Sequence, residues 1–410
     1  MRFCKRCLYS EMHPLYLTFD DEGICSGCRV HEEKDTIDWL KKEGELKSLL
    51  KQYRCKNGKN YDCIVPVGGA RDSYFIVHLI KNKFKMNPLL VNYNKHYNTD
   101  IGVRNLANLR SKFNCDIFTK TVSPDTVKRI TKQTLQLLGS VYWHCIAGET
   151  VFPIQTAVHH KIPLIIWGAH QGIDQVGMFS HFDQVEMTRK YRKEHDLMGY
   201  EAENLTGEME NLTTDHLKPF YYPEDYYIQK IGVRGIYLNN YIRWDTRTQH
   251  EKMIKLYKYE TNNLTRTFDS YNDVDSYVYM DLHDLIKDFK YGYTKVLDHA
   301  CREIRLGHIT RNNAIKLVKH YHSKKPKYIK MFLDWLEIDK TALDFILDEI
   351  RNPEIWVRNK HWEWVKKFNL VPDYDKTQKD KSFKKFVVTK RYKSSDTNKK
   401  YIIIGKGERQ

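Results

Sequence analysis

A chain of 410 residues, 41% apolar and 29% charged, has material for two or three domains and a sizeable buried core. No run approaches the roughly 20 apolar residues that span a bilayer, and no signal peptide is apparent, so a cytoplasmic protein with no membrane span is expected. The 68 Lys and Arg outweigh 52 Asp and Glu by +16, which calls for an anionic partner: nucleic acid, an acidic membrane surface or a phosphorylated small molecule. Nucleic acid is not the expected partner, because Lys- and Tyr-rich compositions also arise from genome bias.

The first 33 residues carry C-x2-C twice: Cys4 and Cys7, then Cys25 and Cys28 after a 17-residue gap. Each pair turns two sulfurs toward one tetrahedral ion at about 2.3 Å, so the spacing predicts a closed, structural Zn2+ site. Cys55, Cys63, Cys115, Cys145 and Cys301 show no ligand spacing. Residues 34–54 read as an amphipathic helix with Ile37, Leu40, Leu46 and Leu50 apolar.

Between 61 and 170, strand-like and helix-like runs alternate. The strands are YDCIVPV, PLLVNYN, CDIFTKTV and IPLIIWG. Helical patterns follow Ser73, span 101–113 and cover 124–139. This alternation predicts an α/β fold with a parallel sheet covered by helices. From about 280 to 370 the pattern is mainly helical, interrupted at Pro326 and Pro353, and the Lys-rich stretch 373–410 reads as a tail or small hairpin. The expected division is a zinc-binding segment at 1–33, an α/β domain at 34–245, a mainly helical region at 246–372 and a basic tail.

After the first strand comes Gly68-Gly69-Ala70-Arg71-Asp72-Ser73. Small residues let backbone N–H groups approach an anion, and the helix that follows aims its dipole at the same spot. Ser73 adds a hydroxyl and Arg71 a charge. Asp72 would support a metal, brace the loop or cap the helix.

This stretch resembles the pyrophosphate loop, S-G-G-x-D-S, of the PP-loop ATP pyrophosphatase superfamily. Gly68 stands at the first Ser and Ala70 at the second Gly. The cysteine-rich start, WHCIAGETVFPIQTAV at 143–158 and FKYGYTKVLDHACREIRLGHITRNNAIKLVKHYH at 289–322 resemble the N-acetyl sugar amidotransferases of that superfamily. The likeness covers roughly 1–370, with Lys295 where Arg is usual.

The resemblance implies an ATP- and Mg2+-dependent enzyme that turns an acetamido group of a nucleotide-linked sugar into acetamidino, for a surface glycan. It implies that Gly68 to Ser73 hold pyrophosphate and that Asn92, Tyr93, Asn94 and Gly168 surround the nucleotide. His144, Cys145 and Glu149 would line the sugar or ammonia path. Asp298 and His299 would serve the reaction, and Arg305 would meet a diphosphate or else pair with Glu303. No glutaminase signature is present, so a separate glutaminase subunit is expected to supply ammonia. A PP-loop tRNA-modifying enzyme, or a pseudoenzyme with an altered loop, is the competing reading. Without the first Ser hydroxyl, ATP binding should be weaker than in a standard loop.

Overall fold

The computed structural model describes residues 2–15, 17–206 and 212–369, so the expected tail or hairpin at 373–410 lies outside the described residues. The α/β architecture expected from the sequence is present. Five parallel strands, β1 (Cys63–Pro66), β2 (Pro88–Tyr93), β3 (Ile117–Lys120), β4 (Leu164–Trp167) and β5 (Arg234–Tyr237), lie in the order β3-β2-β1-β4-β5. Cys63 pairs with Pro88 and Ile64 with Ile165, so β1 is central.

β1, β2 and β4 are largely apolar because both faces are covered, while β3, IFTK at the sheet edge, is half exposed. Val65, Leu90, Leu164 and Ile166 point into one core, while Ile64, Leu89, Val91 and Ile165 point into another. β5 was not apparent in the sequence. Its four residues, RGIY, offer a single aliphatic side chain.

The helices follow local signals. After α1 (Ser26–Glu33), the helix expected over 34–54 is α2 (Trp39–Gln52). It starts late because Asp38 caps it, accepting from Lys41 N. Leu46 and Leu50 are buried, but Leu40 is 86% exposed and belongs to no core. α3 (Ser73–Val77) runs on as a π-turn over His78–Lys83 and buries Phe75, Ile76, Leu79 and Ile80. Thr99 caps α4 (Asp100–Phe113) through Gly102 N, and left-handed Asn114 ends it. α5 (Pro124–Leu138) starts with Pro and ends at left-handed Gly139. α6 (Trp143–His160) covers one face of the sheet despite Pro153.

Beyond the sheet, helices Tyr277–Tyr291, Lys295–Arg305, Arg311–His322, Ile329–Leu336 and Lys340–Glu349 form the mainly helical region. A two-stranded hairpin, Trp356–Arg358 with Trp364–Lys366, closes this mainly helical region and was not anticipated. The cysteine-rich segment packs on this region: Leu8, Tyr9 and Ile24 share a core with Val296, Leu297, Ala300, Ala314 and Ile315. Among the described residues, no helix is long and apolar enough to cross a membrane.

Candidate active site

The strand order reverses direction at β1 and β4, and the loop Gly68–Ser73 leaves the carboxyl end of β1 at that switch point. Open parallel sheets bind ligands there. Packing dictates the loop's close fit. A Cβ on Gly69 would lie 2.1 Å from Gly102 O, so only glycine lets the loop rest on the start of α4. Gly168, after β4, leaves room for Ile76 and the Asp72 carboxylate.

Inside the loop, Ser73 Oγ accepts from Gly68 N at 3.0 Å and donates to Ala70 O at 3.1 Å. The Ser73 hydroxyl therefore braces the turn. The left-handed residue is Arg71, with φ 55°, and not Ala70. His250 supports that conformation from below. Its Nε2 lies 2.7 Å from Arg71 O and its Nδ1 2.8 Å from Thr246 O. The ring thereby ties the loop to the start of helix Thr246–Tyr257.

Asp72 makes no capping bond to α3, and its Oδ1 is buried without a partner. Burial pushes its carboxyl up, against the pull of His250 and Arg71. An unpartnered buried carboxylate oxygen in a glycine loop at a helix start fits a bound cation or its water.

The loop borders two cavities. The smaller, about 230 Å3, is lined by Gly68, Gly69, Asn92, Tyr93, Asn94, Lys95 and Asp275. Asn92 Nδ2 donates to Val67 O, which fixes the end of β1. Lys95 bridges Glu149 at 3.0 Å and Asp275 at 3.2 Å. The larger, about 830 Å3, takes Arg71 and Asp72 on one side and Asp273, Lys287, Lys295, Asp298, His299, Arg302 and Arg305 on the other. Arg71 lies 3.8 Å from Asp273, which also approaches Lys295 at 3.6 Å. Lys295 reaches Asp281 at 3.1 Å, so one ammonium gathers two acids.

Asp298 accepts from the Tyr9 hydroxyl at 2.8 Å. Burial alone would raise its carboxyl, but Lys287, His13 and Tyr9 hold it below the usual range. His299 Nδ1 lies 2.6 Å from Thr267 Oγ1, and burial pushes its pKa down. Asp196 also lines this cavity, its carboxyl pushed up to about 7 by burial against the pull of Arg192.

Other residues singled out from the sequence sit elsewhere. His144 and Cys145 are core residues and line neither cavity. On α6 the wall of the larger cavity falls to Trp143 and Ile146, three apart, which turns 144 and 145 inward. Burial pushes His144 down to about 3, and its Nδ1 meets the Tyr93 hydroxyl at 3.2 Å. Glu149 stands behind Lys95 and lines neither cavity. Glu303 pairs with Arg302 and His308, while Arg305 turns to the cysteines.

Those four cysteines converge. Their sulfurs lie within 4.8 Å of one another, all buried, with Cys4 to Cys28 at 3.9 Å and Cys7 to Cys25 at 3.6 Å. Four thiolates at about 2.3 Å from a tetrahedral ion stand about 3.8 Å apart, so the cluster fits such an ion.

His250, Lys95, Asp273, Asp275 and Arg302 were not anticipated. Asp273 and Asp275 form a D-x-D pair in YNDVDSY, the one local sign available; the others carry no motif.

Comparison with known proteins bears on the helical region that walls the larger cavity. Residues 262–369 match the C-terminal domain of WbpG-like LPS biosynthesis proteins. The chain is also similar to uncharacterized protein MJ1599 of Methanocaldococcus jannaschii, at 26% identity over 114 residues. That match spans 28% of this chain and 40% of the relative's length. Among solved structures, an NH3-dependent NAD synthetase from Campylobacter jejuni, in complex with nitrate, gives a TM-score of 0.28 at 14% identity, over 36% of this chain and 63% of that one.

Proposed function

We propose that the chain is an ATP-dependent amidotransferase that converts an acetamido group of a nucleotide-linked sugar to acetamidino, in lipopolysaccharide or related glycan synthesis. One observation carries this reading. A phosphate-type loop borders both a small cavity at the strand ends and a larger one walled by the region similar to WbpG-like LPS biosynthesis proteins.

An amide is a poor electrophile, and its oxygen leaves poorly. In the proposed reaction the amide oxygen attacks the α-phosphorus of ATP, and pyrophosphate leaves. Ammonia then adds to the activated carbon, and AMP departs with the former amide oxygen. The adenosine occupies the small cavity and the sugar the larger one. Arg71, on a loop that His250 braces through its carbonyl, stabilises the developing pyrophosphate charge. Asp72 is the residue that would hold magnesium, which when bound neutralises phosphate charge. His299, neutral through burial, accepts a proton as nitrogen adds. The four cysteines hold Zn2+ as a structural ion. Ammonia comes from a separate glutaminase.

The test incubates the full chain with ATP, magnesium, ammonium and candidate UDP- or CMP-linked acetamido sugars, read by mass spectrometry. The expected product is one mass unit lighter than its substrate, with AMP and pyrophosphate released in equal amounts. Release of pyrophosphate without any change in sugar mass would overturn the assigned chemistry.

A further inference from the structure

Arg305 ends helix Lys295–Arg305 at the wall of the larger cavity. Its Nε lies 3.4 Å from Cys28 Sγ, and its Nη2 lies 3.7 Å from Cys25 Sγ and 3.8 Å from Cys7 Sγ. Its Nη1 donates to Gln175 O, and the guanidinium stands 5.2 Å over the Tyr9 ring. Among the described residues, no carboxylate pairs with it. Four neutral thiols would leave this half-buried cation without an anion. Four thiolates around a divalent ion carry an excess of two negative charges.

A second feature points the same way. Gly27 stands between Cys25 and Cys28, and a Cβ there would lie 2.5 Å from Arg305 Nη2 and 2.7 Å from Gln175 O. Gly27 is not in a left-handed conformation, so space is the reason for glycine. It opens the path by which the guanidinium reaches the sulfurs.

We infer that Arg305 is the outer cation of the four-cysteine centre, a positioning residue that neutralises the metal-bound thiolates and ties them to the cavity wall. Charge-assisted N–H to sulfur bonds favour thiolate over thiol and slow the loss of the metal. The sulfurs engage the charge that was expected to meet a diphosphate, and Arg305 serves the cavity as a fixed wall. This inference rests on reading the four cysteines as a metal centre.

The experiment uses the full chain with zinc and, separately, cobalt(II) exchanged into the site. Metal content, the rate of zinc transfer to a chromogenic chelator and the sulfur-to-cobalt charge-transfer band are measured for wild type, Arg305→Met and Arg305→Gln. Both variants should still bind one metal but release zinc at least about tenfold faster, the scale of outer-shell losses. Their band should move to longer wavelength, since a nearby cation holds the sulfur lone pairs down in energy. Arg305→Lys should restore part of both. Gly27→Ala, which leaves Arg305 in the chain but bars its approach, should reproduce the band shift. Wild-type release and an unmoved band in both uncharged variants would overturn the role of Arg305 and leave the metal reading standing. Absence of metal from the wild-type chain would overturn the metal reading, and the inference with it.

Discussion

At the scale of single residues, Arg71 carries the clearest tension. A non-glycine residue in the left-handed region costs on the order of 1–2 kcal/mol, and Arg71 sits there with φ 55°. The bond from His250 to its carbonyl and the approach of Asp273 hold it in place. Arg71→Gly should therefore stabilise the fold by about 1 kcal/mol while slowing ATP-dependent pyrophosphate release severalfold or more. Denaturant unfolding and a pyrophosphate assay on the same preparation check both, and unchanged turnover would remove Arg71 from the charge-stabilising role. Ala70 does not share the strain, so Ala70→Gly should cost roughly 0.5–1 kcal/mol and bring no gain in ATP affinity. A serine at 68 would place its Cβ 3.3 Å from Asp275 Oδ2, so restoring the missing hydroxyl also requires Asp275 to yield. Asp72 gives a pH-dependent counterpart. Its folded-state pKa is raised above 3.8 by burial, so in the window above that value the folded chain holds more protons than the unfolded one. Stability from this group is then lost as pH rises through the window. Asp72→Asn should flatten that part of the stability curve, stabilise the fold at pH 7 and abolish magnesium-dependent turnover. An Asn variant no more stable than wild type at pH 7 and equally active would contradict both roles.

At the scale of elements, the loop and α4 are joined by two glycines facing each other. A methyl group on Gly69 meets the backbone at Gly102 O, which cannot swing aside. Gly69→Ala should cost about 1–3 kcal/mol, the usual cost of overpacking, and should raise the Michaelis constant for ATP by moving the loop off the small cavity. Unaltered stability and ATP dependence would show that the loop is freer than its packing implies. Four of the five strands and the loop between β1 and α3 were legible in the sequence, because apolar runs, the looser alternation of β3 and a glycine turn are local signals. The cysteine cluster was legible for the same reason, as its spacing is written in the chain. β5 was not, being four residues with one aliphatic side chain. His250, Lys95 and Asp273 were not either. They reach the loop from separate elements, and apart from the D-x-D pair of Asp273 and Asp275 nothing in their own neighbourhoods distinguishes them from surface charges. His144 and Cys145 failed in the opposite direction: a polar pair in a distinctive segment proved to face the core, because helical phase gives the wall to Trp143 and Ile146.

At the scale of the molecule, the cysteine-rich segment is less separate than its sequence suggests. Its apolar residues Leu8, Tyr9 and Ile24 lie in one core with Val296, Ala300, Ala314 and Ile315. Tyr9 also holds Asp298, and Ser26 Oγ donates to Val176 O at 2.7 Å. The cores on the two faces of the sheet draw on other residues. A closed thiolate site contributes on the order of 10–16 kcal/mol in small zinc peptides, comparable to the roughly 5–15 kcal/mol that hold a whole domain folded. On the proposed reading that the cysteines hold a metal, removing it should loosen the segment and the two helices that share its core, while the sheet survives. Hydrogen exchange on the full chain, with and without a chelator, should show deprotection at 3–30 and at 295–322 together, with β1, β2 and β4 still protected. Asp298 then loses Tyr9 and Arg305 loses the sulfurs, so on the proposed assignment of the cavities sugar binding should weaken more than ATP binding, whose proposed cavity belongs to the sheet. Deprotection confined to 3–30 would show that the shared core stands without the metal. Simultaneous opening of the sheet would show that the molecule unfolds as one unit, and that the small cavity depends on the cysteines as much as the large one does.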